Sequence, residues 1–115
     1  DPTVWFNYAV ICKERGRYDE ALDALAKVRK ITRDRLPVGG EFQEGEILRL
    51  KGLPDQARLS YQRELEKNSD YIPALQALDN AARAANDWKE SRRLRQRIQE
   101  IKASKTAPAP APSAS

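Results

Sequence analysis

The sequence contains no histidine and only one cysteine, Cys12. A lone cysteine cannot form an intrachain disulfide. Without histidine, the chain cannot supply a thiol–histidine catalytic pair, a Cys/His zinc site or a covalent haem attachment site. No apolar run approaches the roughly 20 residues that cross a bilayer. The chain is instead highly charged, at 33% of its residues, which predicts a soluble, helix-rich domain with charged outer faces.

One short pattern returns three times along the chain. Its copies are Gly16-x-Tyr18-x-x-Ala21, Gly52-x-Pro54-x-x-Ala57 and Asn86-x-Trp88-x-x-Ser91. The copies follow each other at spacings of 36 and then 34 residues. A period of this length predicts a stack of two-helix units, and such stacks mostly bind other proteins.

Capping residues and helix breakers predict six helices and no strand. Asp1 and Pro2 suit the opening of the first helix, and Asp70 is a candidate cap for the fifth. The predicted helices cover about residues 2–15, 18–31, 41–51, 54–68, 71–86 and 87–103. Residues 1–103 should form one all-α domain. Residues 104–115 are almost entirely Ala, Pro and Ser and predict a disordered tail.

The first copy of the pattern carries a family motif. It reads Trp5-x2-Tyr8-Ala9-x2-Cys12, followed by Gly16, Tyr18 and Ala21-x3-Leu25. In these residues the chain resembles the tetratricopeptide repeat (TPR) family. The resemblance implies an α-solenoid of about three antiparallel helix-turn-helix repeats, at about residues 2–36, 38–70 and 71–103, wound into a right-handed superhelix. The second repeat departs from the motif, because Glu41 and Glu44 stand where bulky apolar residues are expected.

The resemblance also implies a concave groove, because the first helix of each TPR pair lines one. The matching positions are Phe6, Val10, Lys13, Phe42, Arg49, Leu50, Gln76, Asn80 and Arg83. They describe a groove with an aromatic floor and a basic far wall, suited to a peptide or helix with an apolar anchor and acidic groups. The alternative interpretation is that Phe6 and Phe42 simply fill gaps between helices.

The first helix carries apolar residues on nearly every side. Val4 and Ile11 lie seven residues apart, on neither the groove face nor the main packing face. Because a helix that is apolar all round is normally covered all round, these two residues predict contact with an upstream helix or with a second copy of the chain.

The C-terminal stretch that contains the last predicted helix is strongly basic, and its cations are Lys89, Arg92, Arg93, Arg95, Arg97, Lys102 and Lys105. One interpretation is a solvated cap whose Arg stems shield the edge of the core. The other is an electrostatic surface for nucleic acid or anionic lipid. We expect the cap, because no aromatic residue is interleaved for base stacking. Trp88 and Cys12 are both expected to be packing residues.

Residue chemistry gives no support for catalysis. Glu41, Glu44 and Glu46 form the densest acidic cluster, but no nucleophile or metal motif accompanies them. The sequence therefore predicts a scaffold or adaptor module that is not an enzyme and needs neither cofactor nor metal. The alternative is an accessory domain that positions an enzyme or electron-transfer module. The Ala/Pro tail gives a slight indication of an exported bacterial protein, either periplasmic or extracellular.

Overall fold

The computed structural model describes residues 1–106, and most of them lie in six α-helices. The helices are α1 (Pro2–Glu14), α2 (Tyr18–Thr32), α3 (Gly40–Leu50), α4 (Pro54–Lys67), α5 (Ile72–Ala84) and α6 (Trp88–Thr106). The described residues contain no strand, which confirms the all-α prediction. None of these helices is long and apolar enough to cross a membrane.

The helix ends follow the predicted signals with two exceptions. The side chain of Asp1 accepts a hydrogen bond from the Thr3 amide at 3.0 Å, and so caps α1 as expected. Asp70 does not cap α5, because Tyr71 is the residue at the cap and no side chain bonds there. Helix α6 continues to Thr106, past the predicted end at residue 103. The rest of the predicted tail, residues 107–115, lies outside the described residues.

The turns within the three helix pairs are built alike. Gly16, Gly52 and Asn86 all adopt left-handed backbone conformations, with φ of 76°, 92° and 59°. After each of them, the next amide bonds to the carbonyl five residues earlier. These bonds are Arg17 to Cys12 at 2.8 Å, Leu53 to Leu48 at 2.9 Å and Asp87 to Ala82 at 2.8 Å. The recurring sequence pattern is therefore a recurring hydrogen-bonded turn that ends one helix and admits the next.

Small buried residues lie where the helices of each pair cross. Ala9 and Ala21 are fully buried in the first pair, as their size predicts. In the second pair Gly45 faces Ala57, and a Cβ added at Gly45 would lie 2.6 Å from the Tyr61 ring. In the third pair the buried hydroxyl of Ser91 donates a hydrogen bond to Asp79. The two helices of each pair thus pack closely, but different residues make the close contact in each pair.

The helices pack mainly with their neighbours in sequence. Within the pairs, α1 packs on α2, α3 on α4 and α5 on α6, while α2–α3 and α4–α5 contacts join the pairs. Two apolar clusters result. The first holds α1 and α2 together with Ile47 of α3, and the second holds α3 to α6 around residues such as Tyr61, Leu75 and Leu94.

Candidate partner-binding site

A cleft of about 530 Å³ lies between α3 and α5, above the start of α4. Four of the predicted groove residues line it, namely Phe42, Arg49, Gln76 and Asn80. Helix α5 supplies most of the remaining wall through small residues, which are Pro73, Ala77, Ala81 and Ala84. Because these side chains are short, the cleft stays open along the length of α5.

The floor of the cleft is aromatic. Phe42 is half-buried, and its ring centroid lies 5.7 Å from those of both Tyr61 and Tyr71. Phe42 therefore does fill a gap between helices, as the alternative interpretation stated. It also contributes to the lining of the cleft, so the two interpretations of this residue are compatible.

The charges in the cleft are paired. The guanidinium of Arg49 bonds to the Glu46 carboxylate at 2.9 Å, and the Tyr61 hydroxyl donates to the same carboxylate. Burial alone would raise the pKa of Glu46, but the hydrogen bonds from Arg49 and Tyr61 outweigh it and hold that pKa below its ordinary value. Within this cleft Arg49 is therefore already paired with Glu46, and the predicted basic far wall stays a prediction. The cleft is close to neutral.

Besides the paired Arg49, the exposed polar groups in the cleft are two amides. Gln76 and Asn80 lie one turn apart on α5, and both side chains are exposed. An amide offers two N–H donors and one oxygen acceptor. Two amides at this spacing can bond to successive groups of a peptide backbone, above an apolar surface of alanines and an aromatic ring.

The other five predicted groove residues lie outside the cleft lining. Phe6 is half-buried against the N-terminal apolar cluster, and Val10 is also half-buried. Lys13 donates a hydrogen bond to the Gln43 side chain at 2.6 Å, which ties α1 to α3. Leu50 and Arg83 are exposed. The structure thus brings together two predicted groove residues of α3 with two of α5. Of the predicted α1 residues, Phe6 packs in the N-terminal apolar cluster and Lys13 bonds to α3.

Val4 and Ile11 are exposed on α1, beside the polar Thr3, Asn7 and Glu14. Their contact with an upstream helix or a second copy stays a prediction. Val4 is 63% exposed and Ile11 46% exposed. Tyr8 lies on the same face at 41% exposure. Ala9 and Cys12 are buried, which confirms Cys12 as a core residue.

An ion-pair network joins α2, α3 and α4, and sequence reasoning did not find it. Glu41 is only 2% exposed and accepts hydrogen bonds from Arg29 at 2.7 Å and Lys67 at 2.9 Å. Glu44 bonds to Arg29 at 2.8 Å and to Arg63 at 3.0 Å. The signal was present in the sequence as carboxylates at positions where the motif expects apolar residues. Their partners are remote in sequence, so the pattern alone did not pair them.

A second carboxylate of this region positions the start of α3. Glu64 of α4 is buried and accepts hydrogen bonds from the backbone amides of Gly39 at 3.2 Å and Phe42 at 3.0 Å. The amides at a helix N-terminus lack partners within the helix, so Glu64 acts as a cap supplied from another helix. It fixes the end of α3 that carries Phe42, and therefore one wall of the cleft.

A second cleft of about 760 Å³ lies between α4 and α6 over the other side of α5. Leu65, Leu78 and Leu94 contribute to its lining, and Ala81 lines both clefts. At the corresponding places one helix pair earlier, the chain carries Arg29, Glu44 and Ser60. At these places the junction between the first two pairs is ionic, in addition to the apolar contact of Ile47 with α1 and α2, whereas the junction between the last two pairs is apolar.

The outer surface of α6 differs from the sequence expectation at Trp88. This side chain is 57% exposed rather than packed, so an aromatic ring does accompany the basic residues of α6. Ser91, Leu94, Ile98 and Ile101 form the buried side of the helix as predicted. Arg93 pairs with Glu90, and Arg97 lies 3.9 Å from Glu100, so part of the basic charge is neutralised within the helix.

Comparisons with known protein families, curated proteins and solved structures found no match.

Proposed function

We propose that this chain is a protein-interaction module of the TPR type, in which three helix pairs stack as a right-handed α-solenoid. Its activity is to bind a segment of a partner protein in the cleft between α3 and α5. The observation that carries the proposal is the cleft itself, where two exposed amides stand above an apolar surface. Peptide-binding sites commonly combine backbone-directed hydrogen bonds with shallow pockets for side chains.

The recurring turn supports the repeat assignment. Gly16, Gly52 and Asn86 share one backbone conformation and one hydrogen-bond pattern, at the positions where the TPR motif predicts them. Each turn is followed by a buried small residue, which is Ala21, Ala57 or Ser91. Equivalent turns with equivalent crossings favour equivalent helix pairs, and stacked equivalent pairs form a solenoid.

The paired charges narrow the class of ligand. Because Arg49 is held by Glu46, an acidic group on the ligand would have to compete with an existing ion pair. An uncharged segment meets no such cost. We therefore favour a neutral partner segment with apolar or small side chains over the acidic ligand that the sequence suggested.

The test is quantitative capture of partners from the native source with the wild-type chain and two matched variants. Asn80→Arg places bulk and charge in the cleft, whereas Gln96→Arg makes the same addition on α6. Both positions are exposed and helical, so circular dichroism should show unchanged helix content. We expect Asn80→Arg to reduce capture of the partner at least tenfold and Gln96→Arg to leave it unchanged. Equal capture by all three chains would show that the cleft is not the binding site.

A further inference from the structure

Helix α6 carries a row of basic side chains that begins with an exposed tryptophan. Side chains spaced by three or four residues share one side of a helix, and one such series in α6 contains no carboxylate. We call this series the basic stripe. It consists of Trp88, Arg92, Arg95, Gln99 and Lys102, all of which are exposed. At 1.5 Å per residue the stripe extends about 21 Å along the helix.

The three cations of the basic stripe form no ion pair within the described residues 1–106. The two carboxylates of α6 are bonded elsewhere, because Glu90 pairs with Arg93 and Glu100 with Arg97. The first pair lines the cleft beside α4, and the second lines a cavity beside the α4–α5 connection. The positive charge of the stripe is therefore available to an external polyanion.

We propose that the basic stripe binds single-stranded nucleic acid. Its three cations contact phosphates, and the Trp88 ring stacks on a base. This surface is separate from the cleft between α3 and α5, whose lining includes no residue of the stripe. The expectation of a solvated cap depends on the absence of an aromatic residue among the cations, and the Trp88 ring, at 57% exposure, supplies one.

Stacking distinguishes a single strand from other polyanions. An unpaired base has a face that can stack on an aromatic side chain, whatever the base is, whereas the bases of a duplex are stacked on each other. A membrane surface would instead require an apolar helix face that enters the lipid. The apolar side of α6 is buried in the core through Leu94, Ile98 and Ile101. Within the described helix, Trp88 is the only exposed large apolar side chain.

The spacing of the cations suits an extended strand. Arg92 and Lys102 are ten residues apart, which is about 15 Å along the helix, so the three cations can contact different phosphates. Each phosphate contact on a single strand contributes about −0.7 to the slope of the logarithm of affinity against the logarithm of salt concentration. Three contacts predict a slope of about −2, and the loss of two should reduce its magnitude by about 1.4.

The experiment measures binding of short fluorescein-labelled single strands of DNA and RNA by fluorescence anisotropy, between about 50 and 200 mM salt. We expect wild type to bind with a dissociation constant of about 1–100 μM. The double variant Arg92→Gln, Arg95→Gln should bind roughly tenfold more weakly or worse, with the reduced slope. Arg93→Gln, Arg97→Gln removes the same charge from another side of the same helix, and should weaken binding less than about threefold.

A second measurement follows the aromatic ring itself. The chain has two tryptophans, so Trp5→Phe leaves Trp88 as the only source of tryptophan fluorescence. We expect a single strand to quench this fluorescence as it binds. Trp88→Ala should weaken binding of the single strand about fivefold or more, because it removes the stacked base, and should leave the weaker binding of a duplex of the same sequence unchanged. Circular dichroism checks that each variant keeps its helix content.

The outcomes decide between the stripe and simpler explanations. Equal weakening by the two double variants would overturn the proposal, because total charge would then attract the strand. Duplex binding as tight as single-strand binding, without quenching of Trp88, would contradict base stacking. Tighter binding to phosphatidylserine vesicles, with a blue shift of Trp88 fluorescence, would identify a membrane surface and also overturn it. Stripe-dependent binding of either strand supports it, and the tighter strand identifies DNA or RNA as the ligand. Partner capture that depends on Asn80 is independent of all these results.

Discussion

At the scale of single residues, the helix crossings depend on how little space some side chains occupy. The clearest case is Gly45, which is buried where α3 crosses α4. A Cβ at this position would lie 2.6 Å from one ring carbon of Tyr61 and 3.1 Å from the Ala57 carbonyl oxygen. Tyr61 cannot readily move away, because its ring packs on Phe42 and its hydroxyl bonds to Glu46.

Gly45→Ala is therefore expected to destabilise the chain, although alanine is the better helix former. Overpacking costs roughly 1–3 kcal/mol, which exceeds the ~1 kcal/mol that alanine gains over glycine in a helix. We expect a net loss of about 1–2 kcal/mol in the free energy of unfolding, measured by urea denaturation. The double mutant Gly45→Ala, Tyr61→Leu should lose less free energy of unfolding than the sum of the losses in the two single mutants. An alanine variant as stable as wild type would contradict the packing described here.

Residue identity predicted some of these features and missed others for physical reasons. Ala9 and Ala21 predicted a close crossing of α1 and α2, because both belong to the motif and both are small. Trp88 occupies a motif position as well, yet it is exposed, because burial of that position depends on what packs beside the helix. Sequence specifies the residue but not its neighbour, and for the same reason Glu41 could be seen as unusual but not paired with Arg29.

At the scale of secondary-structure elements, the most regular feature is the left-handed turn between the helices of each pair. Two of the three turns use glycine, which adopts positive φ without steric cost, and Gly16 and Gly52 have open space around a notional Cβ. The third turn uses Asn86 at φ 59°. The ends of the six helices could be predicted to within a few residues from helix breakers and capping residues, because these act locally.

Opposite substitutions in equivalent turns should have opposite effects. Gly52→Ala forces a Cβ into a left-handed conformation and should lower the free energy of unfolding by about 1 kcal/mol. Asn86→Gly removes a strained Cβ and should raise it by about 0.5 kcal/mol. Thermal unfolding followed by circular dichroism would measure both, with Lys89→Ala on the exposed surface as a neutral control. If both turn variants lost stability alike, the two turns would not be equivalent.

At the scale of the whole molecule, ion pairs hold the second helix pair to the first together with the apolar contact of Ile47. Glu41 lies within hydrogen-bonding distance of Arg29 and Lys67, and Glu44 adds Arg63. Burial by itself would raise the pKa of Glu41, but the hydrogen bonds from Arg29 and Lys67 outweigh it and lower that pKa. The cleft could be predicted only in part, because its α3 wall depends on this network and on the Glu64 cap, which join residues remote in sequence.

The pH dependence of stability should report this network. A carboxyl group whose pKa is lowered by folding stabilises the native state above its unfolded pKa of about 4.3. That stabilisation is lost as the pH falls through the folded value. Glu41→Gln should therefore cost about 2 kcal/mol at pH 7, somewhat below the cost of breaking a fully buried pair, because Arg29 and Lys67 reach solvent. Below about pH 4 the difference from wild type should shrink.

Urea denaturation of both chains from pH 7 to pH 3 would measure this dependence. Glu66→Gln, an exposed position on α4, is the matched control and should follow wild type throughout. A Glu41→Gln deficit that stayed constant down to pH 3 would show that the charge of Glu41 is not what stabilises the junction.

The contrast between the two junctions implies that low pH and low temperature should each loosen a different end of the chain first. Glu41, whose pKa is lowered by its ion pairs, loses its charge as the pH falls through that lowered value, whereas the attraction among Leu65, Leu78 and Leu94 weakens on cooling. Acid should therefore free α1 and α2 from a persisting C-terminal half. Cooling should separate α5 and α6 from α4 while the helices joined by ion pairs stay folded. The same chain would then unfold from its N-terminal end in acid and from its C-terminal end in the cold.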